Sequence, residues 1–117
     1  MNFDKYTIKA QEAVQEAVNT AQRAGQQSIE PAHLLKALLT KASDVTHYIF
    51  QKLGVNGAQI SALADSEVQH LPRVQGGQPY LSNDTNSVLL KAEDISKEMG
   101  DEFVSIESLL LALQVAY

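Results

Sequence analysis

The sequence predicts an all-α domain, and three observations support this prediction. Apolar residues recur at steps of three and four along most of the 117 residues, which is the spacing of one helix face. Residues that cap helices and glycines that end them flank these segments. No segment combines sustained apolar–polar alternation with a hairpin turn, so strands are not expected.

The first two helices are joined by a short turn. We expect Thr7 to cap a helix that stops at Gly25. A second helix is predicted to begin near Glu30, with Pro31 in its first turn, where the missing N–H costs nothing. The second helix carries Leu34, Leu35, Leu38 and Leu39. The apolar or small residues that share one face of the first helix are Ile8, Ala10, Ala13, Val14, Ala17, Val18, Ala21 and Ala24.

Two further helices are predicted before the middle of the chain. The third should run from Asp44 to Leu53 and stop at Gly54. The fourth should be capped by Asn56 and end near His70. Their inward residues are predicted to be Val45, Tyr48, Ile49, Leu53, Ile60, Leu63, Ala64 and Val68.

The remaining chain is predicted to hold a connector and two helices. Two prolines and two glycines within residues 71–81 are typical of a connector. The fifth helix should be capped by Ser82 or Asn83 and end at Met99–Gly100. The sixth should be capped by Ser105 and run through Leu109, Leu110, Leu113 and Val115.

An internal repeat divides the chain. An offset of 75 positions aligns Ala17 with Ala92, Gly25 with Gly100, and the Leu34–Leu38 segment with Leu109–Leu113. Two unrelated amphipathic hairpins could also match by leucine content alone. The repeat predicts one domain over residues 1–117, with repeat one at 3–71, a connector at 72–81 and a partial repeat two at 82–117.

The second repeat is shorter than the first. By the same offset it would continue to about residue 146, two helices beyond Tyr117. A helix without its neighbours exposes an apolar face. We therefore expect the fragment to self-associate through the helices of repeat two.

Composition excludes several classes of protein. The absence of cysteine excludes a disulfide framework and thiolate chemistry. A net charge of −5, most of it from residues 71–117, argues against a nucleic-acid partner. No run of about 18 apolar residues and no signal pattern are present, so we expect no membrane partner and a cytoplasmic location. No phosphate-binding Gly-x4-Gly-Lys-Ser/Thr loop occurs.

The chain resembles the Clp N-terminal repeat domain family, most closely its disaggregase branch. The motifs that carry the resemblance are Ile29-Glu30-Pro31-Ala32-His33-Leu34-Leu35, Leu53-Gly54-Val55-Asn56 and Gly100-Asp101-Glu102-Phe103-Val104-Ser105. The resemblance implies a double helical repeat that binds misfolded or aggregated polypeptides for a homohexameric ATPase. It implies no catalytic activity and no cofactor in these residues, with ATP and Mg bound by ATPase modules elsewhere.

The resemblance also implies client-binding positions. Thr7, Asp101 and Glu107 match family residues implicated in substrate handling. Each also has a structural explanation, as a helix cap, a turn residue and a first-turn acid respectively. An apolar groove between the repeats is implied as well, with Ile8, Leu89 and Leu111 as candidate wall residues; a role in the core is the alternative for each.

Several alternatives remain. The domain could instead dock adaptors for a protease-associated unfoldase, or belong to a short autonomous helical protein. A two-site phosphoarginine reader is disfavoured, because Ala32 and Ser108 replace the glutamate and the histidine of the related pattern. Glu30 and His33 have the Glu-x-x-His spacing of di-iron bundles, but their repeat equivalents are serines, so no metal site is expected. The pair Asp101–Glu102 is interpreted as a solvated turn rather than an acid/base pair.

Overall fold

The fold is built almost entirely of helices, as predicted. A computed structural model describes residues 3–74 and 76–116; position 75, within the predicted connector, lies outside the described residues, as do positions 1, 2 and 117. The described part contains six helices, α1 (Ile8–Arg23), α2 (Pro31–Lys41), α3 (Ser43–Leu53), α4 (Gly57–His70), α5 (Asn83–Glu98) and α6 (Ile106–Ala116), with two short strands, β1 (Ser28–Ile29) and β2 (Tyr80–Leu81).

Helices α1, α4 and α5 begin where a side chain accepts hydrogen bonds from the first N–H groups. Thr7 Oγ1 accepts a hydrogen bond from Ala10 N at 3.1 Å, and Ser82 Oγ accepts one from Thr85 N at 3.0 Å. Asn56 Oδ1 accepts from the first turn of α4. The caps predicted from sequence at these three positions are therefore confirmed.

Left-handed glycines end both long helices. Gly25 and Gly100 have φ values of 68° and 76°, a region that other residues enter only at a cost. The residue after each glycine donates its N–H to the helix, Gln26 to Ala21 O and Asp101 to Ser96 O, both at 2.8 Å. These two bonds differ by 75 positions at each end, so the internal repeat is present in the backbone itself.

The two strands were not predicted. β1 belongs to repeat one, and β2 lies at the end of the predicted connector, just before repeat two. β1 pairs in parallel with β2, matching Ile29 with Leu81. A single parallel bridge pairs Tyr6 with Val104. Each bridge is held by a hydrogen bond, Ser82 N to Ile29 O at 3.1 Å and Thr7 N to Val104 O at 2.9 Å. The two bridges are equivalent under the 75-residue offset, and together they give the domain a pseudo-twofold relation between its halves.

The core lies where the two helical hairpins meet. α1 packs mainly on α2, α5 packs mainly on α6, and α2 and α6 contact each other across the junction. Burial of a large aliphatic side chain stabilises a fold by about 1.5–3 kcal/mol. The largest completely enclosed apolar side chains are Leu34, Leu38, Leu89, Leu109 and Leu113.

Helices α3 and α4 bury fewer of their apolar side chains than predicted. Tyr48, Leu53 and Leu63 were expected to face inward, but all three are exposed. The physical reason is that α3 and α4 rest on α2 from one side, and the buried residues of α3 are Thr46 and Phe50 alone among those described. The Tyr48 ring instead faces the Lys52 ammonium, whose Nζ lies 5.3 Å from the ring centroid.

Candidate functional site

An apolar groove lies between repeat one and the last helix of repeat two. Its volume is about 460 Å³. Its walls come from α2, α3, α4 and α6 and from the turn between α3 and α4. The residues that line it are Leu35, Ile49, Phe50, Leu53, Val55, Ile60, Leu63, Ala64, Glu67, Glu107, Leu110, Leu111, Leu113 and Gln114.

Four large aliphatic side chains of this groove are open to solvent. Leu53, Val55, Leu63 and Leu111 are between 39% and 56% exposed, although they stand on one continuous surface. A contiguous apolar patch is unfavourable in water and commonly marks a binding surface. The charged groups among the lining residues are both carboxylates, Glu67 and Glu107. The groove is therefore an apolar surface with an acidic edge.

The turn between α3 and α4 sets one wall of the groove. Gly54 has φ 69° and ends α3, and Val55 N donates to Phe50 O at 2.9 Å. A Cβ placed on Gly57 would lie 3.2 Å from Phe50 Cδ2, which is a tight contact. Glycine at this position therefore allows α4 to begin against the Phe50 ring.

Two further contacts hold α4 in place. Lys36 Nζ lies 3.2 Å from Asp65 Oδ1, which links α2 to α4. Gln26 Nε2 donates to Val68 O at 2.6 Å and to Leu71 O at 3.3 Å, at the carboxyl end of α4. The Gln26 amide is buried, so these bonds are protected from competing water. The wall that carries Leu63 is thus tied to the turn after α1.

His33 completes this linkage. The ring is fully buried, its Nδ1 accepts from Glu30 N at 2.9 Å, and its Nε2 lies 2.6 Å from Gln26 Oε1. Because Nδ1 accepts, Nε2 carries the proton and donates to Gln26. Burial, more than the opposing charge of Glu30, lowers the pKa of His33. His33 is therefore neutral and fully hydrogen-bonded.

In repeat two, serine hydroxyl groups make the hydrogen bonds at the equivalent helix start. Ser108 Oγ accepts from Ser105 N at 2.9 Å and from Ser96 Oγ at 3.0 Å. Ser105 Oγ accepts from Ser108 N at 3.3 Å, so the predicted cap of α6 is present. This arrangement cannot change its charge near neutral pH. The two repeats therefore differ in their sensitivity to protonation.

Neither nitrogen of His33 is free for a metal. Among residues 3–74 and 76–116, no three His, Cys, Asp or Glu side chains come together as metal ligands. The Ser28 hydroxyl donates to Glu30 Oε2 at 2.7 Å. The Glu-x-x-His spacing of Glu30 and His33 thus corresponds to a helix start rather than to half of a di-iron centre.

The predicted site residues fall in three places. Glu107 and Leu111 line the groove. Thr7 lies beside the segment before α6, through its hydrogen bond to Val104 O, while Asp101 is exposed in the turn after α5. Ile8 is 75% exposed on α1 and does not line the groove.

The prediction for Leu89 as a groove wall is wrong. Its side chain has no exposed surface and belongs to the core. Sequence reasoning also missed Leu53, Val55 and Leu63 as groove residues, because it assigned the two leucines to the core and used Val55 only as part of a family motif. The signal available in the sequence was their apolar character, which does not distinguish a covered helix face from an open one.

None of the described helices combines the length and the apolar composition that crossing a bilayer requires. The longest described helices, α1 and α5, have 16 residues each and are amphipathic.

The fold and the groove define a double helical repeat domain with an open apolar surface. The chain belongs to the Clp repeat (R) N-terminal domain family, whose model matches residues 5–115. It is 58% identical over 113 residues to the chaperone protein ClpB of Bacteroides thetaiotaomicron, which covers 97% of this chain and 13% of that protein. The chain therefore spans a small part of the length of the relatives it matches and corresponds to the N-terminal domain of a Clp ATPase.

Solved structures share the fold at lower identity. The N-terminal domain of the ClpV1 ATPase from E. coli superposes with a TM-score of 0.84 at 22% identity, over 95% of this chain and 68% of that chain. The Hsp104 N-terminal domain from Candida albicans gives a TM-score of 0.80 at 19% identity, over 94% and 73% respectively. These likenesses support the helical repeat architecture.

Proposed function

We propose that this domain captures exposed segments of misfolded or aggregated proteins for a ClpB-like, ATP-dependent disaggregase. The observation that carries the proposal is the open apolar groove between α3–α4 and α6, with four exposed aliphatic side chains. Misfolded proteins differ in sequence but share exposed apolar side chains. An open apolar groove suits such varied clients, because it does not require a side chain of one particular shape.

The expected affinity is low. Two client aliphatic side chains that become buried in the groove contribute about 3–6 kcal/mol at most. Ordering of the client segment and loss of its free motion oppose this gain. Dissociation constants of about 10⁻⁴ M or weaker are therefore expected for single segments. Weak binding suits a domain that must release clients onward.

The remaining predicted positions belong to the same proposal. Glu107 stands in the first turn of α6 and lines the groove beside Leu111. Thr7 hydrogen-bonds the segment that leads into α6, and Asp101 precedes that segment. We assign Thr7, Asp101 and Ile8 to the path by which a client approaches the groove.

The longer protein is proposed to supply the chemistry. ATP and Mg would bind in ATPase modules outside this chain, and the parent would act as a cytoplasmic homohexamer. The support is the resemblance to ClpB relatives, of which this chain covers 13% in the example from Bacteroides thetaiotaomicron. The domain itself would bind clients without catalysing a reaction.

The experiment compares two charge-introducing variants of matched exposure. Leu63 is 56% exposed and lines the groove, whereas Leu90 is 55% exposed and lies outside it on α5. Biolayer interferometry would measure binding to an immobilised, permanently unfolded model protein, and circular dichroism would confirm that both variants fold. Leu63→Asp should weaken binding at least about tenfold, while Leu90→Asp should change it less than about twofold.

Equal binding by both variants would refute the groove as the client site. A tight one-to-one complex with a folded adaptor, unaffected by Leu63→Asp, would instead support adaptor docking. The two outcomes differ in the partner used, so a single set of purified variants distinguishes them.

A further inference from the structure

The hydrogen bonds that join α2 to the end of α4 admit a single protonation state of His33. Val68 O and Leu71 O can only accept, so they fix the Gln26 Nε2 group on the side of α4. Gln26 Oε1 then faces His33 Nε2 at 2.6 Å, and this ring nitrogen must carry a proton. On the other side of the ring, Glu30 N can only donate, so Nδ1 must be unprotonated. We call this chain of bonds the Gln26–His33 link; only the neutral ring satisfies all of its partners.

The Gln26–His33 link ends on the helix that forms one wall of the groove. Val68 belongs to α4, and Leu63 of the same helix lines the groove. The middle of α4 is held on α2 by the ion pair of Lys36 and Asp65, whose side chains are partly exposed, and exposed ion pairs contribute little. The Gln26 amide is buried, so its bonds are the protected attachment of the carboxyl end of α4.

The equivalent positions of repeat two are built differently. Ser108 takes the position of His33 and bonds to Ser105 and Ser96. Asp101, which corresponds to Gln26 under the 75-residue offset, is exposed. A serine hydroxyl does not gain a charge near neutral pH. The response to protonation is therefore confined to repeat one, which carries the α4 wall of the groove.

Two charged groups act on the His33 ring, and both lie at the start of α2 or within it. Glu30 favours the protonated ring, and Lys36, which is paired with Asp65 of α4, opposes it. The turn after α1 and the end of α4 face the ring with neutral groups, the Gln26 amide and the carbonyl oxygens that it contacts. Burial is the largest influence, and it lowers the pKa of His33. The ring is therefore neutral near pH 7 and gains a second proton only in acid.

From this arrangement we infer that the groove binds clients when His33 is neutral and loses affinity for them when His33 is protonated. A proton on Nδ1 would set two N–H groups against each other, since Nδ1 and Glu30 N lie 2.9 Å apart. The ring then turns towards the Glu30 carboxylate, and Gln26 loses its donor. The end of α4 is no longer fixed, and neither is the wall that carries Leu63. The inference rests on the proposed function, because it concerns the regulation of the same groove.

The expected effect is moderate, because other contacts still hold α4. Asn56 caps its first turn, and Ala64 and Val68 are buried. A wall that has become mobile must be ordered again when a client binds, which lowers the affinity. We expect about a three- to tenfold loss between pH values of about 7.5 and 5. By linkage, a saturating client should lower the pKa of His33 by the logarithm of the ratio of the affinities of the two protonation states.

A peptide without titrating side chains tests the inference. It would consist of Leu, Val, Ser and Gln with blocked ends and a rhodamine label, and fluorescence anisotropy would measure its dissociation constant across the pH range. The domain would carry His47→Gln and His70→Gln, which leaves His33 as its sole histidine. NMR would follow the His33 ring and the Leu63 methyl groups of the same protein, and circular dichroism would confirm folding at each pH.

Two variants of this protein separate the Gln26–His33 link from other titrating groups. The groove carboxylates of Glu67 and Glu107 could produce an acid dependence of their own. Gln26→Met removes the amide and keeps the length of the side chain, so α4 is no longer coupled to His33. Gln22→Met makes the same change at an exposed position of α1 and serves as the matched control.

The inference predicts that the parent and Gln22→Met lose affinity in acid with the midpoint of the His33 titration, and that Gln26→Met binds weakly at every pH. An affinity of the parent that does not change while His33 titrates would overturn the inference and leave the groove intact. The same acid loss in Gln26→Met would also overturn it, since the groove carboxylates would then be responsible.

The NMR titration decides the question even if Gln26→Met does not fold. The Leu63 methyl signals should shift with the same midpoint as the His33 ring, and independent titrations would overturn the inference. A parent protein that does not bind the peptide at a pH of about 7.5, where His33 is neutral, would instead refute the proposed function, and the inference would fail with it.

Discussion

Replacement of His33 by serine tests how repeat one is held together. The variant copies repeat two, where Ser108 takes the equivalent position. A serine hydroxyl can still accept from Glu30 N, but it cannot reach Gln26 Oε1, which His33 contacts at 2.6 Å. The buried acceptor left without a donor costs about 1–3 kcal/mol, and the space left by the ring adds to this. We expect a total loss of about 2–4 kcal/mol in the free energy of unfolding.

The pH dependence of stability distinguishes His33 from a merely space-filling residue. Burial lowers the pKa of His33 in the folded state, so the unfolded chain binds more protons once the pH falls towards the unfolded value of about 6.5. Stability therefore decreases as the pH falls through that value, by up to about 1.4 kcal/mol per pH unit, and levels off below the folded-state pKa. His33→Ser removes this contribution.

Urea unfolding followed by circular dichroism measures both effects. The wild type and His33→Ser would be compared at pH values of about 7.5, 6.5 and 5.5. The wild type should lose up to about 1 kcal/mol more than the variant between the last two values, because the unfolded His33 is only half protonated at pH 6.5. Parallel losses in the two proteins would refute the assigned role of His33, because every other titrating group is common to both.

Three other predictions follow from described features. Thr7→Ala and Ser82→Ala remove equivalent helix caps, so each should lower the free energy of urea unfolding by about 1 kcal/mol; a loss at one position alone would contradict the equivalence. Tyr6→Phe removes a buried hydroxyl that has no partner among the described residues, and should raise the thermal midpoint rather than lower it. The exposed Leu111 and Val115 should promote concentration-dependent self-association, which light scattering would detect and Val115→Lys would suppress; a monomer at all concentrations would contradict this.

Much of the fold could be predicted because its signals are local. Thr7, Ser82 and Asn56 accept hydrogen bonds from N–H groups within three residues, so their type and position suffice to mark a helix start. The left-handed Gly25 and Gly100 mark the ends in the same way. The repeat was visible because its two halves keep both signals 75 positions apart.

The errors concern contacts between distant segments. Periodicity shows which residues share a helix face, but not whether another element covers that face. For this reason Leu63 was assigned to the interior and Leu89 to a surface, and the structure reverses both. The strands escaped detection because each has two residues, and Ile29 pairs with Leu81, at the end of the predicted connector and 52 positions away.

The crossed pairing of Tyr6 with Val104 and of Leu81 with Ile29 bears on how such a domain could arise. A single repeat produced as a separate chain would contain one residue of each pair, Tyr6 and Ile29. The partners of both residues, Val104 and Leu81, lie in the other half of the domain. Two identical chains would satisfy one another reciprocally, as in an isologous dimer. The domain therefore has, within one chain, the reciprocal pairing of such a dimer. Because its two halves are not identical, equivalent positions can hold different residues, as His33 and Ser108 do.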